Sequence, residues 1–316
     1  MTYAQYGLIQ ASDFNTYAGG NPTTTANTLN ATWATGGSTA GYGQTALANV
    51  AVNDTVGATS WAALVNNTAN AALHQASSIT AVTAPSSGST ITFVSAIPTN
   101  LQTIYTNRLN ATSQSGTTAN TATYGATWSS ALTFTHTATF ANGDAARYFF
   151  NSGGQIKMTV SHPAGTGINL LFNNLASNVG TVVLSAPTSG AVTIAGTSYN
   201  GITKVGGGGN APTISQNTGY YALTTANTTV FTQLASTGPS GYLSTFIRFI
   251  VKSNGTVGSN GDAGNVITIY TIWDEVPDGL VVSTGSATTM TITPPEVTYL
   301  ANSWGAITLA GSVSGA

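Results

Sequence analysis

The densest group of side chains that could carry out acid–base chemistry is Asp274, Glu275 and Asp278, which follow Trp273. A glycosidase needs two carboxyl groups about 5 to 9 Å apart across one glycosidic bond. Neighbouring residues of an extended strand point to opposite faces, so Asp274 and Glu275 are poorly placed to act together. Asp278 follows Val276-Pro277 and precedes a glycine, which is typical of a turn. We therefore expect the end of a strand here and no catalytic pair.

The three histidines are spread along the chain and do not suggest a metal cluster. His136 and His162 stand at alternating positions beside apolar residues, which favours neutral rings that fill core or interface positions. His74 lies at the end of a predicted helix, where a cation or a ring bonded to a carbonyl suits the helix dipole. The histidines therefore predict packing and helix-end roles, with no metal ligand among them.

The glycine-rich loops and the absence of cysteine also argue against a cofactor. Asn142–Asp144 and Asn260–Asp262 share the sequence Asn-Gly-Asp, but neither loop has the full ligand spacing of a calcium-binding loop. Gly206–Gly209 lacks the Lys-Ser/Thr ending of a phosphate-binding loop. A chain without cysteine has no disulfide, thiolate metal site or cysteine nucleophile. The sequence predicts no cofactor, no metal and no catalytic residue.

Charge is scarce, and this limits the classes of partner. Only 14 of 316 residues are Lys, Arg, Asp or Glu, or 4%, whereas an ordinary soluble domain has about 25%. Six basic residues cannot neutralise many phosphates or form a polybasic membrane patch, so we expect no nucleic-acid partner. No stretch approaches the roughly 18 apolar residues of a membrane span, so we expect no membrane insertion.

The low charge also predicts self-association. The net charge is −2, so electrostatic repulsion between copies is weak, and small net charge favours association. Residues 1–25 lack the charged and apolar regions of a signal peptide, so we expect synthesis in a cytoplasm. With so few charged residues and histidines, most of the usual catalytic inventory is missing, and the sequence predicts an oligomeric non-enzyme.

The elements that must position these residues change character along the chain. Apolar residues at helical spacing predict four short helices in the first third. These helices are expected at Ser12–Tyr17, Thr24–Thr35 and Ser60–Gln75, and after Pro98. Between the last two, Ile91–Val94 is predicted to be a short strand or an extended segment.

From about residue 120 the apolar period becomes two, which indicates half-buried antiparallel strands. The predicted strands are Leu132–Phe140, Gln155–His162, Thr181–Ser185, Ala191–Ala195, Thr228–Leu234, Tyr242–Val251, Val266–Trp273 and Thr288–Thr293. The predicted fold is mainly β: residues 119–316 form an antiparallel, jelly-roll-like β-sandwich. Residues 1–118 are expected to be a partly helical, irregular docking or assembly segment that buries less of itself. No fixed repeat is present.

Two sets of residues resemble virion structural proteins of tailed bacteriophages, particularly those of marine and cyanobacterial phages. The first set is Leu29-Asn-Ala-Thr-Trp33, Gly41-Tyr-Gly-Gln44, Trp61-Ala-Ala-Leu64 and His74-Gln75; the second runs from Ala146 to Ile156 and is centred on Arg147 to Gly154. The resemblance implies a non-enzymatic tail, neck, baseplate or fibre protein of the virion. Its partners would be copies of itself and other virion proteins.

The block Arg147, Tyr148, Phe149 and Phe150 is the candidate assembly or packing anchor. Its aromatic residues are expected to fill a core, and Arg147 to pair with Asp144 or with a neighbouring subunit. An alternative function is a carbohydrate-binding adhesin or receptor-binding module, in which exposed Trp273, Tyr and Asn residues on β-loops, together with Asp274, would contact a host-surface glycan. A third class, a polysaccharide-degrading enzyme, would depend on Asp274 or Glu275.

Overall fold

A computed structural model describes residues 11–20, 26–52, 54–88 and 95–315. The described chain is mainly β, as predicted, and its strands form antiparallel sheets. The helices are α1 Ala11–Ala18, α2 Leu29–Thr32, α3 Ala58–His74, α4 Ile97–Thr106, α5 Gly143–Asn151 and α6 Ile168–Val179. The strands are β1 Thr118–Thr123, β2 Ala131–Thr139, β3 Gln155–Ser161, β4 Thr181–Leu184, β5 Val192–Ile194, β6 Thr197–Tyr199, β7 Ile202–Val205, β8 Thr213–Ile214, β9 Thr228–Leu234, β10 Phe246–Ser253, β11 Val266–Asp274, β12 Ala287–Thr293 and β13 Thr308–Gly315.

The helices predicted for the first third are present as α1, α3 and α4, each within a few residues of its expected bounds. Of the predicted helix Thr24–Thr35, the first two residues lie outside the described part of the chain, and the helix found, α2, runs only from Leu29 to Thr32. Gly36 follows with a positive φ of 60°, and a Cβ there would lie 2.5 Å from the Ala31 carbonyl oxygen, so the chain turns away. The predicted strand Ile91–Val94 lies outside the described residues.

Helices α5 and α6 correct the prediction of an all-strand second part. The side chains of α6 that face the core recur at helical spacing, and they are Ile168, Leu171, Phe172, Leu175, Ala176 and Val179. A Gly residue stands at each end of α6, which is typical of a helix boundary. The helical spacing is therefore present in the sequence, between segments whose alternating pattern predicts strands.

The β-sandwich consists of two antiparallel sheets that share one apolar core. The five-stranded sheet has the order β1-β12-β3-β4-β7, and the six-stranded sheet has the order β13-β2-β11-β10-β9-β8. As predicted, β10 and β11 are central strands. Strand β10 begins at Phe246 rather than Tyr242, because Thr245 N–H donates to the Tyr242 carbonyl and closes a turn.

The first part of the chain has a second apolar core of its own, smaller than the core of the β-sandwich. Trp61 of α3 lies at its centre and is 1% exposed, with its ring 5.4 Å from that of Phe14. Leu29, Leu101 and Ile104 are also fully buried there. Leu300, which is distant in sequence, joins this core, so the two parts of the chain are interwoven. Among the described residues, no helix combines the length and hydropathy needed to cross a membrane.

Two neighbouring positions of α6 allow a matched test of the sandwich core. Phe172 is fully buried and its ring lies 4.8 Å from Trp128 and 5.9 Å from Trp273, whereas Leu170 is 46% exposed. We expect Phe172→Ala to lower the free energy of unfolding by about 3 to 5 kcal/mol through cavity formation, measured by urea denaturation. Leu170→Ala is the control and should change it by less than about 0.5 kcal/mol. Equal effects of the two substitutions would contradict this packing.

Candidate functional site

Helix α5 carries the predicted anchor, and its local sequence explains its bounds. The Asn142 side chain caps the helix by accepting a 2.8 Å hydrogen bond from the Ala145 N–H. Asp144 in the first turn places negative charge at the positive end of the helix dipole. Gly153 follows the helix with a φ of 88°, where the chain turns into β3. The anchor residues are therefore held on a short, capped helix between β2 and β3.

One side of α5 packs into the sandwich core. Phe149 and Phe150 are fully buried, with ring centroids 5.1 Å apart in an edge-to-face arrangement. Phe150 also stacks on Tyr220 at 4.4 Å. Phe149 and Phe150 therefore fill a core, as expected, whereas Tyr148 is half-buried and lies outside it.

The other side of α5 faces the first part of the chain through Arg147, which is fully buried. Its Nη2 and Nε donate to Asp144 Oδ1 at 2.8 and 3.1 Å, and its Nη1 donates to the Ala40 carbonyl. Asp144 keeps 25% of its side chain exposed. The predicted pairing of Arg147 with Asp144 is thus present within one chain. The guanidinium joins the sandwich to the segment at residues 40–43.

Tyr148 and Asn151 extend the same contact. Asn151 Nδ2 donates to the Gly41 carbonyl at 2.9 Å, and the half-buried Tyr148 ring packs on Gly43. A Cβ on Gly43 would lie 2.3 Å from that ring, and φ is 68° there, so glycine is required. We call the contact between α5 and residues 40–43 the α5 junction.

His74 completes the α5 junction from the end of α3. Its Nε2 donates to the Ser152 carbonyl at 3.1 Å, and its ring lies 5.3 Å from that of Tyr42. Gln75 Nε2 in turn donates to the Tyr42 hydroxyl at 2.7 Å. The carbonyl-bonded ring expected for His74 is present, and burial lowers its pKa from 6.5 to about 4, so the ring is neutral.

The junction therefore gathers three blocks that carried the resemblance: Gly41–Gln44, His74–Gln75 and Arg147–Gly154. The individual roles of Tyr42 and Asn151 were not predicted. No local pattern marks them, because their partners are distant in sequence. The two Asn-Gly-Asp loops also meet at this place, since the Gly261 N–H donates to the Asp144 carboxylate at 3.3 Å.

The expectation that Trp273 is exposed is wrong, because this side chain is fully buried among aromatic rings of the core. The inward face of β11 includes position 273, whereas Asp274 is half-buried on the outward face. Glu275 is buried, and its Oε1 accepts from the Leu280 N–H at 3.0 Å. The neighbouring carboxylates thus leave the backbone on opposite sides, as expected from the strand geometry.

Elsewhere, the described residues offer little that could do chemistry. His136 and His162 are buried beside apolar residues, as predicted, and burial lowers the pKa of both. No group of three or more His, Asp or Glu residues is placed to hold a metal in the described part. A groove of about 440 Å³ lies between α3 and residues 77–82, and its described lining includes Leu64, Val65 and Ile79 and no titratable side chain.

Comparison with protein-family models, with curated proteins and with solved structures finds no match to this chain. The geometry of the chain itself is therefore the basis for the functional argument. Its central feature is the α5 junction, which is built from buried side chains of one chain and joins two cores.

We expect Arg147→Ala to lower the free energy of unfolding by about 3 kcal/mol, because it breaks a buried ion pair and leaves the Ala40 carbonyl without its donor. Arg147→Lys should cost less, since it keeps the charge but loses the fork of donors. Urea denaturation measures both variants. Lys157→Ala, at a half-buried position on a sheet face, is the control and should have an effect within about 0.5 kcal/mol. An Arg147→Ala protein as stable as the control would contradict the junction.

Acid should destabilise the protein through His74. The unfolded ring has a pKa near 6.5 and the folded ring one of about 4, so the unfolded chain binds more protons between these values. The contribution of the neutral ring is complete above pH 6.5, and up to about 3 kcal/mol is lost below pH 4. Denaturation at a series of pH values measures this loss. His74→Gln keeps a donor for the Ser152 carbonyl and should give a shallower pH dependence; an identical dependence would refute the assignment.

Proposed function

We propose that this chain is a non-enzymatic structural component of a phage particle, which acts as an oligomer in a tail, neck or baseplate appendage or a fibre. In this role one part of the chain attaches to neighbouring virion proteins, and another part projects or contacts further copies. The protein would be made in the host cytoplasm and used in the virion. Its function would be mechanical, and it would need no cofactor.

The observation that carries the proposal is the outer face of the five-stranded sheet. Thr121, Thr289, Thr159 and Thr181 form one row across β1, β12, β3 and β4. The hydroxyls of Thr121 and Thr289 are 2.8 Å apart and hydrogen-bonded. The strands contribute one charged side chain to this face, Lys157. A surface of short hydroxyl side chains with little charge suits packing against other subunits.

The use of the basic residues supports the same role. Arg147 is buried in the α5 junction, where it donates to the Ala40 carbonyl. Arg108 donates to the Thr39 carbonyl at 2.9 Å and to the Tyr105 carbonyl at 2.8 Å. Lys204 donates to Gln233 across the two sheets at 3.2 Å. These three cations donate hydrogen bonds to groups of the same chain, so they add little charge to the exterior. Rigidity and weak repulsion between copies are what a particle component needs.

The glycan-binding alternative loses its main residue, because a buried Trp273 cannot stack on a sugar. The degradative alternative needs two converging carboxyl groups, and Asp274 and Glu275 diverge. The structural role is therefore the better supported of the three.

The proposal predicts that purified phage particles contain the chain in a fixed copy number. We expect it to remain bound after nuclease treatment and high-salt washing, because hydroxyl and apolar contacts depend little on ionic strength. Quantitative mass spectrometry of washed particles, with labelled antibodies to locate the copies by electron microscopy, measures both points. A non-structural phage protein made in the same infection is the control and should be lost on washing. Absence of the chain from particles would overturn the proposal.

A further inference from the structure

The outer face of the six-stranded sheet differs from that of the five-stranded sheet. Its central strands carry large apolar side chains and several charged ones. Alternate residues of β10 and β11 point outward and are mostly half-buried, while their neighbours face the core. The outward side chains are Phe246, Arg248, Ile250 and Lys252 on β10, and Val266, Thr268, Tyr270, Ile272 and Asp274 on β11. We call this surface the β10–β11 face. Thr133, Thr135, Thr137 and Thr139 of β2 extend it towards β13.

The charges on this face are placed at its two ends. Asp274 pairs in register with Phe246 at one end of the two strands, and Lys252 pairs with Thr268 near the other end. Arg248 lies between them, with its guanidinium 4.2 Å from the centre of the Phe246 ring. Ile250 and Tyr270 form the next row, so the middle of the face is a cation beside apolar and aromatic side chains.

This arrangement is self-complementary. A twofold axis that crosses the strands at right angles, between the Arg248 and Ile250 rows, would reverse the strand direction in a second copy. Lys252 of one copy then approaches Asp274 of the other, and Arg248 approaches the Ile250–Tyr270 row. Opposite charges meet at both ends, and two cations meet aromatic and aliphatic groups in the middle. The same residues would repel each other if the copies stacked with their strands in the same direction.

The whole outer face of the six-stranded sheet, with the β10–β11 face at its centre, approaches the size of a standard interface. Six strands about 4.8 Å apart, with about seven residues at about 3.3 Å each, give a surface of roughly 29 by 23 Å, or roughly 650 Å². The projecting side chains add to this area, and a standard interface buries about 800 Å² on each partner. Leu234 is 45% exposed at the edge of the face and would extend its apolar area.

We propose that the β10–β11 face is a homodimer interface, in which two copies of this chain stack face to face across a twofold axis with their strands antiparallel. The inference deepens the proposed function and rests on it for the choice of a second copy as partner. It names the surface, the symmetry and the residue pairs that the proposed function leaves open.

Charge exchange tests the geometry directly. We expect the wild-type protein to form a dimer in sedimentation equilibrium, and Lys252→Asp and Asp274→Lys each to weaken it at least about tenfold by placing like charges opposite each other. The double variant, with both substitutions, should restore the dissociation constant to near the wild-type value, because it exchanges the signs of both partners. An arrangement that keeps the two residues apart would not produce this rescue.

Two further variants complete the test. Ile250→Lys adds a cation opposite Arg248 of the second copy and should also weaken the dimer at least about tenfold. Asp54→Lys, at an exposed position of the first part of the chain and outside both sheets, is the control and should leave the dissociation constant unchanged. Circular dichroism and thermal unfolding establish that each variant is folded; positions 250, 252 and 274 are half-buried on a sheet face and position 54 is exposed, so all should tolerate the change.

A wild-type protein that stays monomeric at all concentrations, or a double variant as weak as the single ones, would overturn the inference. If the protein associates but none of the β10–β11 variants weakens the association, the inference also fails, whereas the proposed function stands. If the rescue is observed but purified particles lack the chain, the interface stands and the proposed function fails.

Discussion

The buried guanidinium of Arg147 is the interaction on which the arrangement of the two cores depends. A charge without solvent is costly unless it is paired and hydrogen-bonded, and here Asp144 and the Ala40 carbonyl satisfy it. Because Asp144 lies on the same helix while Ala40 lies more than a hundred residues earlier, the pair fixes α5 against the first part of the chain. Arg147 is therefore satisfied only when both parts are folded and in place.

The aromatic residues on the opposite side of α5 give this interaction its rigidity. Phe149 and Phe150 anchor the helix in the sandwich core, so packing as well as hydrogen bonding holds Arg147 in place. His74 adds a neutral, buried ring that bridges α3 to the same helix end. One short helix thus links a helical core and a β-sandwich, and it does so with side chains that are almost all excluded from water.

The scarcity of charge determines the character of the protein surface. Several of the few cations bind groups of the same chain. One sheet face carries mainly threonine hydroxyls, and the other carries a few charges among apolar groups. Surfaces of this kind have weak mutual repulsion, so contacts between copies are limited by shape and by the placement of single charges. This is why the composition of the chain and the geometry of its sheets lead to the same proposed role in an assembly.

The sequence by itself determined the fold class, most element positions and the packing role of the Phe149–Phe150 pair, because alternation and helical spacing report directly on which side chains are buried. It also anticipated that Asp274 and Glu275 diverge, since that follows from strand geometry alone. It missed α5 and α6, and it took Trp273 to be exposed, because a tryptophan at a strand end gives no local sign of which face is covered. Only the tertiary structure decided that Tyr42, His74 and Asn151 meet around α5, and that Asp274 and Lys252 stand at opposite ends of one face. Such relations depend on strand register and on contacts between distant segments, which local patterns do not encode.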